Sequence, residues 1–188
     1  MRDLSLHLMD IVQNSIRAQA KLITIRMEHA DCGVLTLVVK DDGLGMEPEL
    51  LALVQNPFTT TRTERKIGLG LPLLTDNARR TGGDVQIKST PGIGTMVTAV
   101  FQTRHIDCIP LGDIAGTMAA LVAANPDSPD FDFLLEANGK EASLDTRVLR
   151  QALQGIMLSE PEIVIWMQTS LQEEIQQVFG GTDYEIHR

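Results

Sequence analysis

Four short polar or glycine-rich segments punctuate the apolar runs ahead of residue 104, and their positions constrain how that part of the chain can fold. They are His7-Leu-Met-Asp10-Ile-Val-Gln-Asn14; Asp41-Asp-Gly43-Leu-Gly45-Met46; Asn56-Pro-Phe58-Thr-Thr-Thr-Arg62 followed by Ile67-Gly68-Leu-Gly70-Leu71; and Pro91-Gly92-Ile-Gly94-Thr95. The stretches between them have a clear period. Residues 3–19 read as a helix that Asp3 can cap, with Leu4, Leu8, Ile11, Ser15 and Ala18 on a buried stripe. His7, Asp10, Asn14 and Arg17 fall on another face of it. Leu22–Met27 and Val34–Lys40 read as strands joined at Cys32-Gly33. Pro48 opens a short helix over 48–55, Thr59–Lys66 reads as a loop, and a helix spans Leu69–Thr81 before Gly82-Gly83. Val85–Ser89 and Thr95–Thr103 form a second strand pair.

Strand pairs interleaved with helices predict an α+β fold, a two-layer α/β sandwich. Its expected core is Leu8, Ile11, Ile23, Ile25, Leu37, Val39, Leu73, Val85, Ile87, Val97 and Val100. This unit ends near residue 104, so the expected organisation is 1–104 followed by a small α/β unit over 105–188 with no assigned role. In that second part Asp113–Ala124 reads as a helix and Phe131–Ala137 as a strand before a turn at Asn138-Gly139. Leu144–Ile156 reads as a helix. A last helix begins at Ser159-Glu-Pro161-Glu162, with Ile163, Val164, Met167, Leu171, Ile175 and Val178 on its apolar side and Trp166 expected in the core.

The 188 residues suffice for one core and a small appendage, and 43% hydrophobic with 22% charged residues is ordinary for a globular protein. A net charge of −9 argues against a nucleic-acid partner, which needs a positive field. No apolar run approaches the ~20 residues that span a bilayer, so no membrane partner and a cytoplasmic location are expected. Cys32 and Cys108 fit no metal spacing and read as reduced thiols.

Each segment has a chemistry and a plain structural reading beside it. Asn14 can face a nucleotide-held magnesium, which keeps several waters and needs few protein oxygens; Asp10, one turn earlier, can polarise a water or accept a proton. Equally, both suit a solvated helix face. Asp41 at a strand end can accept from an exocyclic amine while Gly43 and Gly45 admit a flat ring, or the run is a simple turn. Gly68-Leu-Gly70 before a helix can present N–H groups to an anion, with one of Arg62, Arg65 and Lys66 meeting a phosphate. Gly92-Ile-Gly94-Thr95 is a tight hairpin that lets a pocket wall close, with the Thr95 hydroxyl available.

In order, spacing and predicted elements, residues 3–103 resemble the GHKL superfamily of ATP-binding domains, and among them the ATP-binding domain of sensor histidine kinases. The resemblance implies the Bergerat sandwich, with ATP and Mg2+ bound between helices under a lid. It makes Asn14 similar to the magnesium-binding asparagine, Asp10 to a catalytic glutamate, and Asp41 with Gly43 and Gly45 to the adenine-binding motif. Asn56–Arg62 is similar to the phenylalanine box, Gly68–Leu71 to the second glycine box and Gly94-Thr95 to the third motif. The implied nucleotide set is Asn14, Asp41, Gly43, Gly45, Met46, Phe58, Thr60, Arg62, Lys66, Gly68, Leu69, Gly70, Leu71 and Thr95, with Asp10 catalytic and Asn14 on the metal.

Three departures stand out. Asp10 is one methylene shorter than glutamate, Lys66 stands where the second glycine box usually opens with glycine, and no helical hairpin bearing a phosphoacceptor histidine precedes the domain. The resemblance implies a kinase-like protein that passes the γ-phosphate to a protein client. An ATP hydrolase driving conformational change or dimerisation, and an ATP-sensing module without turnover, are the alternatives; a homodimer is open.

Overall fold

The computed structural model describes residues 2–55 and 70–180. Helix α1 (Leu4–Arg17) starts at Asp3, whose carboxylate accepts from the Leu6 N–H at 3.0 Å. Strands β1 (Leu22–Ala30) and β2 (Val34–Asp41) form an antiparallel pair, and the short helix α2 (Pro48–Gln55) follows. Helix α3 (Gly70–Arg80) leads into β3 (Asp84–Thr90) and β4 (Gly94–Gln102). Then come α4 (Ile114–Ala124), β5 (Asp130–Ala137), β6 (Lys140–Asp145), α5 (Thr146–Leu153) and α6 (Pro161–Phe179). The mixed sheet and its helices make an α+β fold, as the sequence pattern predicts.

The six strands form one sheet in the order β3-β4-β2-β1-β5-β6. All neighbours are antiparallel except β1 and β5, which run parallel from Leu22 opposite Asp130 to His29 opposite Ala137. β4 ends at the boundary expected near residue 104, and both sheet and core continue across it. Without β5, the outer edge of β1 would present unpaired N–H and C=O groups. Alternation along the strands fixes one buried face, carrying Ile23, Ile25, Met27, Leu35, Leu37, Val39, Val97, Ala99, Phe101, Phe131, Phe133 and Leu135. Helix α4 is apolar nearly all round, with Ile114, Ala115, Met118, Ala119, Leu121 and Val122 buried, because it lies between α1 and α6.

Several expectations need correction. The segment after Asn138-Gly139 is not helical from Leu144: both turn residues have positive φ (54° and 71°), and the hairpin they make draws Lys140–Asp145 into pairing with β5. The helix starts only at Thr146, with the Asp145 carboxylate accepting from the Arg147 N–H. In α3 the buried residues are Leu74 and Ala78, and Leu73 is exposed. Val100 faces away from the core because Val97, Ala99 and Phe101 take the inward positions of β4, and Val85 is half-buried on edge strand β3. Trp166 is 51% exposed beside Ile165, since Met167 and Leu171 carry the inward face of α6. His7 is fully buried rather than on a solvated face, because α3 covers that side of α1. His29 meets the Thr103 hydroxyl at 3.1 Å and the edge of the Phe179 ring.

Candidate functional site

Where α1, the end of β2, α2 and the start of α3 meet β4, the fold leaves a cavity of about 210 Å³. Ile11, Ala18, Met46, Leu50, Val54, Leu71 and Val97 give it apolar walls, and Asn14, Ser15, Asp41 and Thr95 are its polar groups. An apolar slot with a few convergent polar groups is the usual form of a small-ligand site, although roughly 300–1,000 Å³ is typical for whole drug-sized ligands. This smaller space suits a planar ring, with any further part of the ligand outside it. A larger concavity of about 680 Å³ between β6 and α6 is open, and Lys140, Glu141, Ser143, Glu174 and Gln177 line it; it shares no residue with the slot.

Asp41 is the last residue of β2 and is 7% exposed. Its Oδ2 accepts from the Ser15 hydroxyl at 2.7 Å, and its Oδ1 accepts from the N–H groups of Gly43 at 3.0 Å and Thr95 at 3.2 Å. A carboxylate has roughly four acceptor positions. Three protein donors fix the group and leave one for an N–H in the slot. Asp42 does a different job: it accepts from the N–H groups of Lys21 and Leu22 at 2.7 and 2.9 Å, tying the start of β1 to the end of β2. Burial raises the Asp42 carboxyl, but the Leu22 and Lys21 N–H groups outweigh it and hold the group below the usual carboxylate range.

Glycine is required at two places here. Gly45 has φ +68°, and a Cβ there would lie 2.1 Å from the Thr90 carbonyl oxygen; a Cβ on Gly94, at φ +127°, would lie 2.0 Å from that of Asp41. Only bare backbone lets the Asp41–Met46 turn and the Pro91–Thr95 turn close on each other. They are stitched by Gly92 N–H to Leu44 carbonyl at 2.8 Å and Met46 N–H to Ser89 hydroxyl at 2.8 Å. The Ser89 and Thr95 hydroxyls meet at 2.9 Å.

Asn14 lies at the rim, where its Oδ1 accepts from Arg17 at 3.4 Å. Asp10, one turn earlier, packs against the first residue of α3: a Cβ on Gly70 would come within 2.7 Å of the Asp10 carboxylate. Together they present hard oxygen donors, the kind magnesium prefers. The structure therefore brings Asn14, Asp41, Gly45, Met46, Leu71 and Thr95 into one cavity, with Gly43 behind Asp41 and Asp10 and Gly70 adjoining. Phe58, Thr60, Arg62, Lys66, Gly68 and Leu69 lie outside the described residues.

Sequence reasoning missed the site role of Ser15, which it had placed on the core stripe, and of Ser89. A hydroxyl among Leu4, Leu8, Ile11 and Ala18 was the available signal for Ser15, since a buried polar group needs a partner.

Over 93 residues the chain is 30% identical to the sensor histidine kinase ZraS of Salmonella typhimurium, covering 48% of this chain and 20% of that one. Over 96 residues it is 31% identical to sporulation kinase C of Bacillus subtilis, covering 50% and 22%. It thus spans about a fifth of the length of these kinases. Among solved structures, the N-terminal domain of a DNA repair protein shares its fold at a TM-score of 0.51 and 16% identity, over 97% of this chain and 58% of that one. Residues 2–105 match the family described as histidine kinase-, DNA gyrase B- and HSP90-like ATPases, and by its slot, its buried aspartate and this match the chain belongs to that family.

Proposed function

We propose that this protein binds Mg-ATP and transfers the γ-phosphate to a partner protein. The observation that carries the reading is the buried Asp41 carboxylate, held by three protein donors on the wall of an apolar slot. Asp41 accepts from the exocyclic amine of adenine, and Met46, Leu50, Val54, Leu71 and Val97 enclose the ring. Asn14 supplies an oxygen to magnesium at the rim, and Gly70 at the start of α3 directs backbone N–H groups towards the phosphates. Bound there, magnesium would neutralise charge on the phosphates. Phosphoryl transfer is mainly positioning and charge neutralisation, so a docked acceptor completes the requirements. The likeness to sensor kinases over the ATP-binding half supports transfer, and no helix among the described residues is long and apolar enough to cross a membrane. The client is a protein met in the cytoplasm, and a dimer of this chain is compatible with that role.

One observation favours a second reading, hydrolysis: the Asp10 carboxylate lies against the first turn of α3, where it can orient a water. Incubation with γ-labelled ATP and magnesium separates the two. Protein-bound label that appears only with a client supports transfer. Free phosphate that disappears in Asp10→Asn supports hydrolysis. Binding with neither product leaves an ATP sensor, and no binding of Mg-ATP overturns the proposal.

A further inference from the structure

The contact between α1 and α3 is fixed at two points. At one, the Asp10 carboxylate lies so close to Gly70 that a Cβ there would come within 2.7 Å of it. At the other, His7 Nε2 lies 2.8 Å from Asn77 Nδ2. His7 precedes Asp10 by one helical turn on α1, and Asn77 follows Gly70 by two turns on α3, so each pair of residues shares a helix face. The helices run antiparallel at this contact, the early part of α1 against the late part of α3. Two fixed points on each helix define how far α3 can slide or rotate on α1; the apolar contacts of Leu74 and Ala78 do not define it so sharply.

His7 is completely buried, and the rest of that interface is mainly apolar. The Asn77 amide donates to Nε2, so the ring is neutral and carries its proton on Nδ1, a buried atom that makes no hydrogen bond of good geometry; a weak polar contact with the Gly70 backbone does not offset its burial. A leucine would fill this place without leaving a buried N–H unpaired, so the histidine costs stability relative to an apolar side chain. A buried polar pair that fixes register is a known return for that cost.

From this geometry we infer that His7 is a positioning residue, which through Asn77 holds the first turn of α3 in register with Asp10 and Asn14 and so shapes the phosphate end of the site. The inference rests on the nucleotide reading above. It separates the two ends of the ligand. The adenine end takes its polar anchor from Asp41, Ser15 and the strand-end turns and only Leu71 from α3, so the α1–α3 register bears on it less. The phosphate end lies at the first turn of α3 itself and depends on that register directly.

The test is calorimetric titration of the full chain with ADP and with ATP, each with magnesium, for wild type, His7→Leu and His7→Gln, with thermal melts of each. Misplacement of a positioned group by about 1 Å can cost up to ~100-fold, so a loss of about tenfold or more in ATP affinity is expected for His7→Leu, with ADP within about twofold. His7→Gln, whose carbonyl can accept from Asn77, should restore most of the ATP affinity. Asn77→Leu should reproduce the His7→Leu pattern. Equal losses for ADP and ATP in folded His7→Leu, or a melt showing His7→Leu unfolded while folded His7→Gln loses about tenfold or more for ADP and ATP alike, would reduce His7 to a structural residue. Unchanged ATP affinity in folded His7→Leu would remove any role. Wild type that binds neither nucleotide would instead overturn the nucleotide reading, and this inference with it.

Discussion

Ser15 on α1 donates its hydroxyl proton to the buried Asp41 carboxylate at the end of β2, at 2.7 Å across 26 residues of sequence. The bond joins the helical layer to the sheet at the wall of the slot. It makes the orientation of the carboxylate a property of helix packing as well as of the strand end.

Asp41→Asn should weaken ATP binding by ~1–3 kcal/mol, because the amide NH2 would oppose the Ser15, Gly43 or Thr95 donors. Ser15→Ala, which loosens the carboxylate without reversing its polarity, should cost about 1 kcal/mol. Titration calorimetry measures both. Near-normal affinity in Asp41→Asn would take Asp41 out of base recognition.

Asn14→Ala should cost far more affinity for Mg-ATP than for metal-free ATP, because the carboxamide at the rim acts through the ion. Titrations with magnesium and with EDTA give the comparison. Equal losses in the two would assign Asn14 to helix-surface structure, such as its contact with Arg17.

Burial is the main cause that lowers the His7 pKa from 6.5 to about 4. An unfolded chain takes up a proton on this ring near pH 6.5, whereas the folded protein resists it until about pH 4. The unfolded state therefore binds more protons in that window, and stability falls as pH drops from 6.5 to 4, by at most about 3 kcal/mol from this group. His7→Gln should flatten the profile there, as followed by urea unfolding at stepped pH. Asp84, held low by Arg79, and Asp145, held low by Arg147, lose their contributions at more acid pH, below the ordinary carboxyl value of 3.8. An unchanged slope in His7→Gln would show that the ring does not titrate in this way.

Truncation after residue 104 should yield an aggregation-prone or molten chain rather than a smaller stable domain. It would strip β5 from the edge of β1 and α4 from the side of α1. Analytical ultracentrifugation and urea unfolding of the truncated chain are the checks. A monomeric, cooperatively unfolding product would show that residues 1–104 fold without support from residues 105–188.

Much of this was readable in the residue order. The period of α1, the alternating strands β1 and β2, the Asn138-Gly139 turn and the glycine-bearing segments Asp41–Gly45 and Pro91–Thr95 at element ends all report local preferences, and each falls where the pattern puts it. So does the gathering of Asn14, Asp41, Gly45, Met46, Leu71 and Thr95, because those segments sit at the ends of elements that one sheet and its helices must bring together. The strand β6 was hidden, because Lys-Glu-Ala-Ser-Leu-Asp has little strand preference of its own and pairs only because the hairpin holds it against β5.

The chain alone thus dictated which residues are apolar, at what period, and where glycine and aspartate interrupt them, since those follow from backbone sterics and side-chain chemistry within a few positions. Three-dimensional packing decided what covers each face. It buried His7 under α3, left Trp166 in solvent, seated β5 beside β1 and turned Ser15 from a stripe residue into the partner of Asp41. Those outcomes depend on contacts between segments tens of residues apart, and periodicity names an apolar face without naming its neighbour.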